Sequence, residues 1–467
     1  RSLNSGFADK RLTSFFGRIQ YDYQGKYLFS GLIRRDGSSA FIKEFRFDQF
    51  WALTTGWKIS EENFLKDNET ISFLKLRASY GTLGNEVGNN LYRSLLSGEG
   101  TYVFDGALVD GTAQGGLPNP LAQWETAEKL DIGLDINLFD DKVTIVADYF
   151  EESRKDLLIA NFPVSGILGT SAPGGGRPTV NAGTSLNTGA ELAISYAAIK
   201  TEDASLNFAY NVTYVKNEVT DVTGGAFIEG GGFAIGNLPP SRMEVGQPIG
   251  YFYGLQTDGL FQNQAAIDSH PSQAALGASE TSPGDIRYKD VNGDGIIDIN
   301  DRTNIGKPQA DFYMGFNFSG TYKNWDFSAY LYSELGKEIV RNYERFLPNV
   351  NKPSYYLGRW TGEGTSNSIP RLTNDATNNK LFSDFFVEDG SFLRLQNVQI
   401  GYNIDADTLE RIGVSKLRVY TSVNNLFTIT DYSGYDPTIN GGAIGAGIDY
   451  GTYPSARQFI LGLNVEF

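Results

Sequence analysis

Apolar and polar residues alternate along this chain over stretches longer than the five or six residues usual for a strand of a soluble protein. Phe312, Met314, Phe316 and Phe318 make one series, with Tyr313, Gly315, Asn317 and Ser319 between them. After Lys323-Asn324 the pattern resumes with Trp325, Phe327, Ala329 and Leu331 against Asp326, Ser328 and Tyr330. Successive side chains of a strand point to opposite faces, so this reads as a hairpin with one greasy face. The same reading gives Ile132, Leu134, Ile136 and Leu138, a turn at Asp140-Asp141, then Val143, Ile145, Ala147 and Tyr149. Leu206, Phe208, Tyr210, Val212 and Tyr214 make a further strand. A change of phase between Leu395 and Val398 predicts a bulge. Counted conservatively, the pattern predicts roughly thirteen strands, each reaching the nine to eleven residues that cross a bilayer at the usual tilt.

The connections sort by length. Short links are expected at Gln24-Gly25, Asp140-Asp141, Thr201 to Asp203 and Lys323-Asn324, with middling ones at Ser60 to Thr70 and Ile404 to Ser415. Long ones are expected at Gly84 to Gln123, Glu152 to Thr184, Asn217 to Ala310, Glu334 to Val387 and Asn425 to Pro454. Tight turns on one side and long loops on the other are the pattern of an outer-membrane β-barrel. A soluble β-sandwich also alternates along its strands and stands as the alternative, but has no reason to sort its loops. A closed barrel with both termini in the periplasm needs an even strand number, so thirteen strands would be only part of one. The strand from Arg11 to Tyr23 should then run inward, and Arg1 should lie at the extracellular face.

Composition agrees. Glycine at 54, tyrosine at 26 and phenylalanine at 31 against 2 methionines suit a β-rich chain with many turns. Cysteine is absent, which removes disulfides, thiolate catalysis and cysteine-ligated metal centres. The net charge of −16 and the lack of a basic cluster argue against nucleic acid. No apolar run is long enough for a transmembrane helix, whereas a transmembrane strand needs only every second residue apolar. The chain opens at Arg1 with no charged-then-apolar signal, so a processed or partial product is expected.

Phe459, Leu461, Leu463, Val465 and Phe467 alternate up to the last residue, similar to the terminal signal of outer-membrane barrels. Six ordered segments then resemble the SusC/RagA-type family of TonB-dependent transporters. They are NPLAQWETAEKLDIGLDINLF from Asn119, VGQPIGYFYGLQTDGLFQN from Val245, GDIRYKDVNGDGIIDINDRTNIGKP from Gly284, FVEDGSFLRLQNVQIGYNI from Phe386, NNLFTITDYSGYDPTI from Asn424 and GIDYGTYPSARQFILGLNVEF from Gly447. The resemblance implies an all-β transmembrane barrel of about 22 strands, plugged by an N-terminal domain, of which residues 1–467 would be the C-terminal portion with long extracellular loops. It implies a SusD-like surface lipoprotein over the barrel mouth and energy from the TonB–ExbB–ExbD complex, in the outer membrane of a Gram-negative envelope. Neither plug nor TonB box is found in this chain, so the coupling parts are expected outside it.

One motif has the spacing of a metal site. Asp290, Asn292, Asp294, Gly295, Ile296, Asp298 and Asp301 match a calcium loop: oxygen donors at positions one, three and five, glycine at six, a backbone carbonyl at seven, and carboxylates at nine and twelve. A single structural Ca2+ is expected to brace the external loop leading into the Phe312 strand. The alternative is an Asx-rich turn that bonds to itself. Glycine runs at Gly174 to Gly176 and Gly230 to Gly232 precede no helix and read as mobile loop tips rather than phosphate cradles. His270 reads as a solvated loop residue, since nothing marks a nucleophile for it. Tyr343, Phe346, Tyr355, Tyr356 and Trp360 could stack on sugar rings, but such residues more often pack a loop against itself or join the interface girdle.

The expected function is import, without enzyme activity: glycan oligosaccharides or peptides captured under the lipoprotein and passed inward on TonB-driven plug movement, from a barrel whose outer face meets lipid. A passive porin and a surface carbohydrate-binding sandwich are the alternatives.

Overall fold

The computed structural model describes residues 10–86, 91–93, 96–170, 175–233, 238–278, 280–344, 350–405 and 413–466. Its principal sheet has thirteen strands. They are β1 (Leu12–Tyr23), β2 (Tyr27–Ser38), β3 (Phe47–Lys58), β4 (Ile71–Asn85), β5 (Glu125–Leu138), β6 (Val143–Lys155) and β7 (Thr184–Lys200). There follow β8 (Ala204–Asp221), β9 (Phe312–Tyr322), β10 (Trp325–Leu335), β11 (Phe392–Asn403), β12 (Lys416–Thr430) and β13 (Gln458–Glu466). Each strand lies beside its neighbour in sequence, so order in the sheet is order in the chain. The expected strand count is met, and one continuous sheet replaces the two packed sheets of the sandwich alternative.

Because neighbours are antiparallel, the links fall alternately at the two ends. The links 24–26, 59–70, 139–142, 201–203, 323–324 and 404–415 share one end, and 39–46, 86–124, 156–183, 222–311, 336–391 and 431–457 share the other. Left-handed backbone makes the tightest turns possible: Gln24 and Gly25 have φ of 56° and 69°, Asp140 and Asp141 54° and 63°, Lys323 51°. β1 runs toward the short-link end, as expected, while Arg1 and Phe467 lie outside the described residues.

The chain divides into two compact units. In the first, which holds β1 to β8, one row across β4–β8 reads Leu76, Leu134, Ala147, Leu192 and Val212. The row beside it, on the opposite face, reads Arg77, Gly133, Asp148, Glu191 and Thr213. One face is therefore apolar and the other carries the charge. At the long-link end of this unit, Ala40, Phe41, Phe50, Ala122, Trp124 and Leu158 form a buried core, and the Trp124 indole donates to the Arg46 carbonyl at 3.2 Å. Burial of each large side chain there contributes about 2–3 kcal/mol.

The second unit holds β10 to β13 and shows the same sorting. Trp325, Tyr402, Val419 and Leu463 face one way, as do Phe327, Ile400, Thr421 and Leu461. Asp326, Gly401, Tyr420 and Gly462 face the other, with Ser328, Gln399, Ser422 and Ile460. The expected bulge is present: the β10–β11 and β11–β12 registers shift between Leu395 and Asn397. Aromatic rings crowd the short-link ends of the strands, where Tyr27 stacks on Trp57 in the first unit and Trp325 meets Tyr402 in the second. This is the girdle position of a membrane barrel.

Candidate functional site

In the second unit the long links fold into a packed assembly of their own. Ser241 and Arg242 pair with Phe252 and Tyr251, 251–254 pairs with 303–306, and 338–341 pairs with both 387–389 and 448–449. Phe233, Phe252, Val340, Phe382, Phe386 and Ile448 make one buried cluster beneath these strands, and Leu255, Leu260, Ile286, Tyr288 and Ile297 a second. The ties span long sequence distances: Arg371 Nε donates to Asp285 Oδ1 at 2.7 Å, and the buried Tyr288 hydroxyl to the Asn378 carbonyl at 2.8 Å.

Gly230 to Gly232 are part of this packing rather than a mobile tip, which corrects the sequence reading. Gly231 has φ +72°, and a Cβ there would stand 2.4 Å from Ile448 Cδ1; the Gly232 N–H donates to the Tyr450 hydroxyl at 2.9 Å. The glycines serve close backbone approach. Of the other run, Gly174 lies outside the described residues. His270 is half-buried, edge-on to the Phe261 ring at 5.1 Å, so it is a packing residue and not a solvated one.

The loop aromatics pack inward. Tyr355 and Tyr356 stack at 4.5 Å, and both hydroxyls donate to Glu344 Oε2. Burial, reinforced by Glu344, raises both phenols, Tyr356 to about 12. The Trp360 indole donates to Gln262 at 3.3 Å and Tyr343 meets Ser433, while Phe346 lies outside the described residues. Sequence reasoning had no handle on Arg341, which bridges Glu344 and Glu388 at 2.6 Å each and lies over the Tyr355 and Phe385 rings.

The 290–301 loop forms a compact turn system. Asp290 accepts the Gly293 and Gly295 N–H groups at 2.7 and 2.8 Å, Asn292 Oδ1 that of Asp294, and Asp294 Oδ1 that of Ile296. Asp298 Oδ1 accepts the Asn300 N–H, and Asp301 accepts those of Val291, Asn292 and Asp298. Gly295 sits at φ +83°, as position six requires. Ile297, fully buried, pins the loop to the second cluster, and its N–H donates to the Ser272 carbonyl. The carboxylates are thus turned onto the loop's own N–H groups, and among the described residues no three acidic or imidazole side chains converge on a point.

On the charged face of the first unit, Arg77 bridges Asp131 at 2.9 Å, Asp135 at 3.1 Å and Asp148. In the second, Arg418 bridges Asp326, and Arg394 Nη2 donates to Asp436 Oδ1 at 2.6 Å. Burial pushes the Asp436 carboxyl up, but the Thr438 hydroxyl, the Ser455 and Thr438 N–H groups and Arg394 outweigh it and hold it well below the usual carboxylate range.

A family model described as TonB dependent receptor-like, beta-barrel, matches residues 2–332. The chain belongs to this TonB-dependent receptor family. TonB-dependent receptor P3 of Formosa agariphila is 34% identical over 98% of the chain. TonB-dependent receptor SusC of Bacteroides thetaiotaomicron is 31% identical over 98% of it. The solved RagAB peptide transporter superposes with a TM-score of 0.78 over 98% of the chain at 23% identity, which establishes a shared fold. The chain is thus a SusC/RagA-type barrel of the outer membrane, within a family of transporters rather than enzymes. It spans 46% of the Formosa relative, 44% of SusC and 48% of the RagAB chain, so about half of each.

Proposed function

We propose that the protein to which this chain belongs is an energised importer of bulky nutrients, working with a SusD-like surface lipoprotein and driven by TonB–ExbB–ExbD through segments outside residues 1–467. The observation that carries this reading is the likeness to SusC, which runs through the strands and the long links alike. The packing of the link segments 251–254, 303–306, 338–341, 387–389 and 448–449 supports it, because an ordered loop surface is what a lid protein can seat on, whereas a passive pore needs none. The cargo in this reading is a glycan oligosaccharide or a peptide, as expected from the sequence resemblance. Affinity purification of the full-length protein in mild detergent tests the partnership: a surface lipoprotein should co-elute in near-equal amount. A barrel that elutes alone under conditions preserving its fold would remove the lid and favour the porin.

We further propose that the 290–301 loop gathers one calcium ion. Its twelve-residue spacing and its left-handed Gly295 suit the ion, and the side-chain oxygens of Asp290 and Asn292, with Asp294 Oδ1, each keep a lone pair beyond the one N–H bond they accept. Binding would draw together carboxylates that now cap backbone. Calorimetric titration of calcium into chelator-treated protein should show one site that Asp294→Ala weakens; a flat titration would leave the loop as a self-bonded turn.

A further inference from the structure

We infer that Arg35 is a docking point for the phosphate of a lipid in the outer leaflet of the outer membrane. The site belongs to the membrane face of the barrel, and it is the same whether the pore is energised or passive. Tyr27 pairs with Trp57, and Trp57 with Leu76 of the apolar row, so these three share the apolar face. Counted by twos along β2 from Tyr27, that face continues through Phe29, Gly31 and Ile33 and then reaches Arg35. A cation therefore interrupts a surface that meets lipid. Its neighbours across the sheet are Phe15 of β1 and Gln49 of β3, and neither carries a countercharge. Among the described residues Arg35 makes no ion pair and no side-chain hydrogen bond. The pairing puts Lys155 and Lys216 on the same face, but Lys155 bridges Glu128 at 2.7 Å and Lys216 bridges Glu218 at 2.9 Å.

What Arg35 does have is an aromatic seat. Its guanidinium lies over the Phe47 ring, 5.0 Å from the centroid. The ring reaches across β2 because Gly37 leaves room for it: a Cβ there would stand 2.3 Å from Phe47 Cε1. A guanidinium seated on a ring face keeps the N–H groups at its edge for an oxygen acceptor. Height selects that acceptor. From Tyr27 at the short-link girdle to Arg35 the strand runs about 26 Å, or roughly 20 Å along the membrane normal at the usual tilt. The outward apolar band of a barrel is about 25 Å tall, and the arginine stem carries its head toward water, so the guanidinium meets headgroups rather than acyl chains. Trp51, beside Ile33 and edge-on to Tyr80 at 5.5 Å, marks a second aromatic girdle one step below it. A phosphate supplies both the missing charge and the two oxygens that a guanidinium fork takes in parallel.

The test uses the full-length protein in detergent, titrated with diphosphorylated lipid A and with the same lipid stripped of both phosphates, the bound fraction being read by native mass spectrometry. The phosphorylated lipid should bind more tightly, and Arg35→Gln should weaken it about fivefold. Arg35→Lys should fall between the parent and Arg35→Gln, because it keeps the charge and loses the fork. Lys216→Gln should bind as the parent does, and the unfolding midpoint should be the same in all three variants. Equal affinity of Arg35→Gln and the parent, equal binding of the two lipids, or an equal loss in Lys216→Gln would overturn the assignment. Displacement of the bound lipid by excess sodium phosphate would overturn it as well, since the site would then hold a free anion and not a lipid.

Discussion

Asp301 is fully buried and accepts three backbone N–H groups, whereas the exposed Asp294 accepts one, from Ile296, and an amide hydrogen of Asn292. Removing Asp301 leaves buried donors without partners, so Asp301→Ala should cost the loop roughly 2–4 kcal/mol, and Asp294→Ala without calcium less than about 1. Limited proteolysis between residues 289 and 302 should show the difference; equal cleavage of the two variants would mean that Asp301 does not hold the turn. The spacing of these acids was legible in the sequence, but their unequal burial was not, because it depends on Ile297 entering a cluster built from residues as distant as Trp360 and Leu381. Asp436 carries a pH prediction. Its folded carboxyl is held below the ordinary range, so its contribution to the loop is complete above about pH 4 and fades as the pH falls below that value. Thr438→Val, which removes the strongest of the contacts that hold the carboxyl down, should lessen this acid sensitivity, and Arg394→Met should lessen it by a smaller part, read as hydrogen exchange across 431–457 at pH 3 against pH 6. An unchanged profile would place the sensitivity elsewhere.

Elements were easier to read than residues. A strand advertises itself locally, since Phe312, Met314, Phe316 and Phe318 recur at period two whatever lies beyond them, and even the Leu395 bulge left a phase shift. Phe208 packs on Phe318 at 5.2 Å and the Ser205 and Thr321 hydroxyls pair at 2.7 Å, which puts the even and odd residues of β9 on the apolar and polar faces respectively. Phe316→Arg should accordingly cost about 2–4 kcal/mol in lipid vesicles if the residue lies near the bilayer midplane, and Asn317→Arg far less. Equal costs on urea titration would deny that the two faces meet different solvents. The links were opaque for the opposite reason. Asp285 and Arg371 stand 86 residues apart, and Gly230 to Gly232 resemble a loop tip until Ile444 and Ile448 are seen against them. Contacts of that separation leave no period in a sequence.

At the scale of the molecule, thirteen strands with a sorted pair of faces and links of alternating length make a barrel portion. The family match converts that portion into a TonB-dependent receptor of SusC/RagA type. What the fold class alone leaves open is energy: an importer and a porin share strands, girdles and faces, and differ in whether flux depends on the inner membrane. Uptake of a fluorescent cargo by cells carrying the full-length protein, measured before and after a protonophore, addresses that point most directly. The account predicts that uptake collapses with the proton gradient and in cells lacking TonB, while surface binding of the cargo persists. Uptake that continues at the same rate without the gradient would contradict it and leave a passive pore.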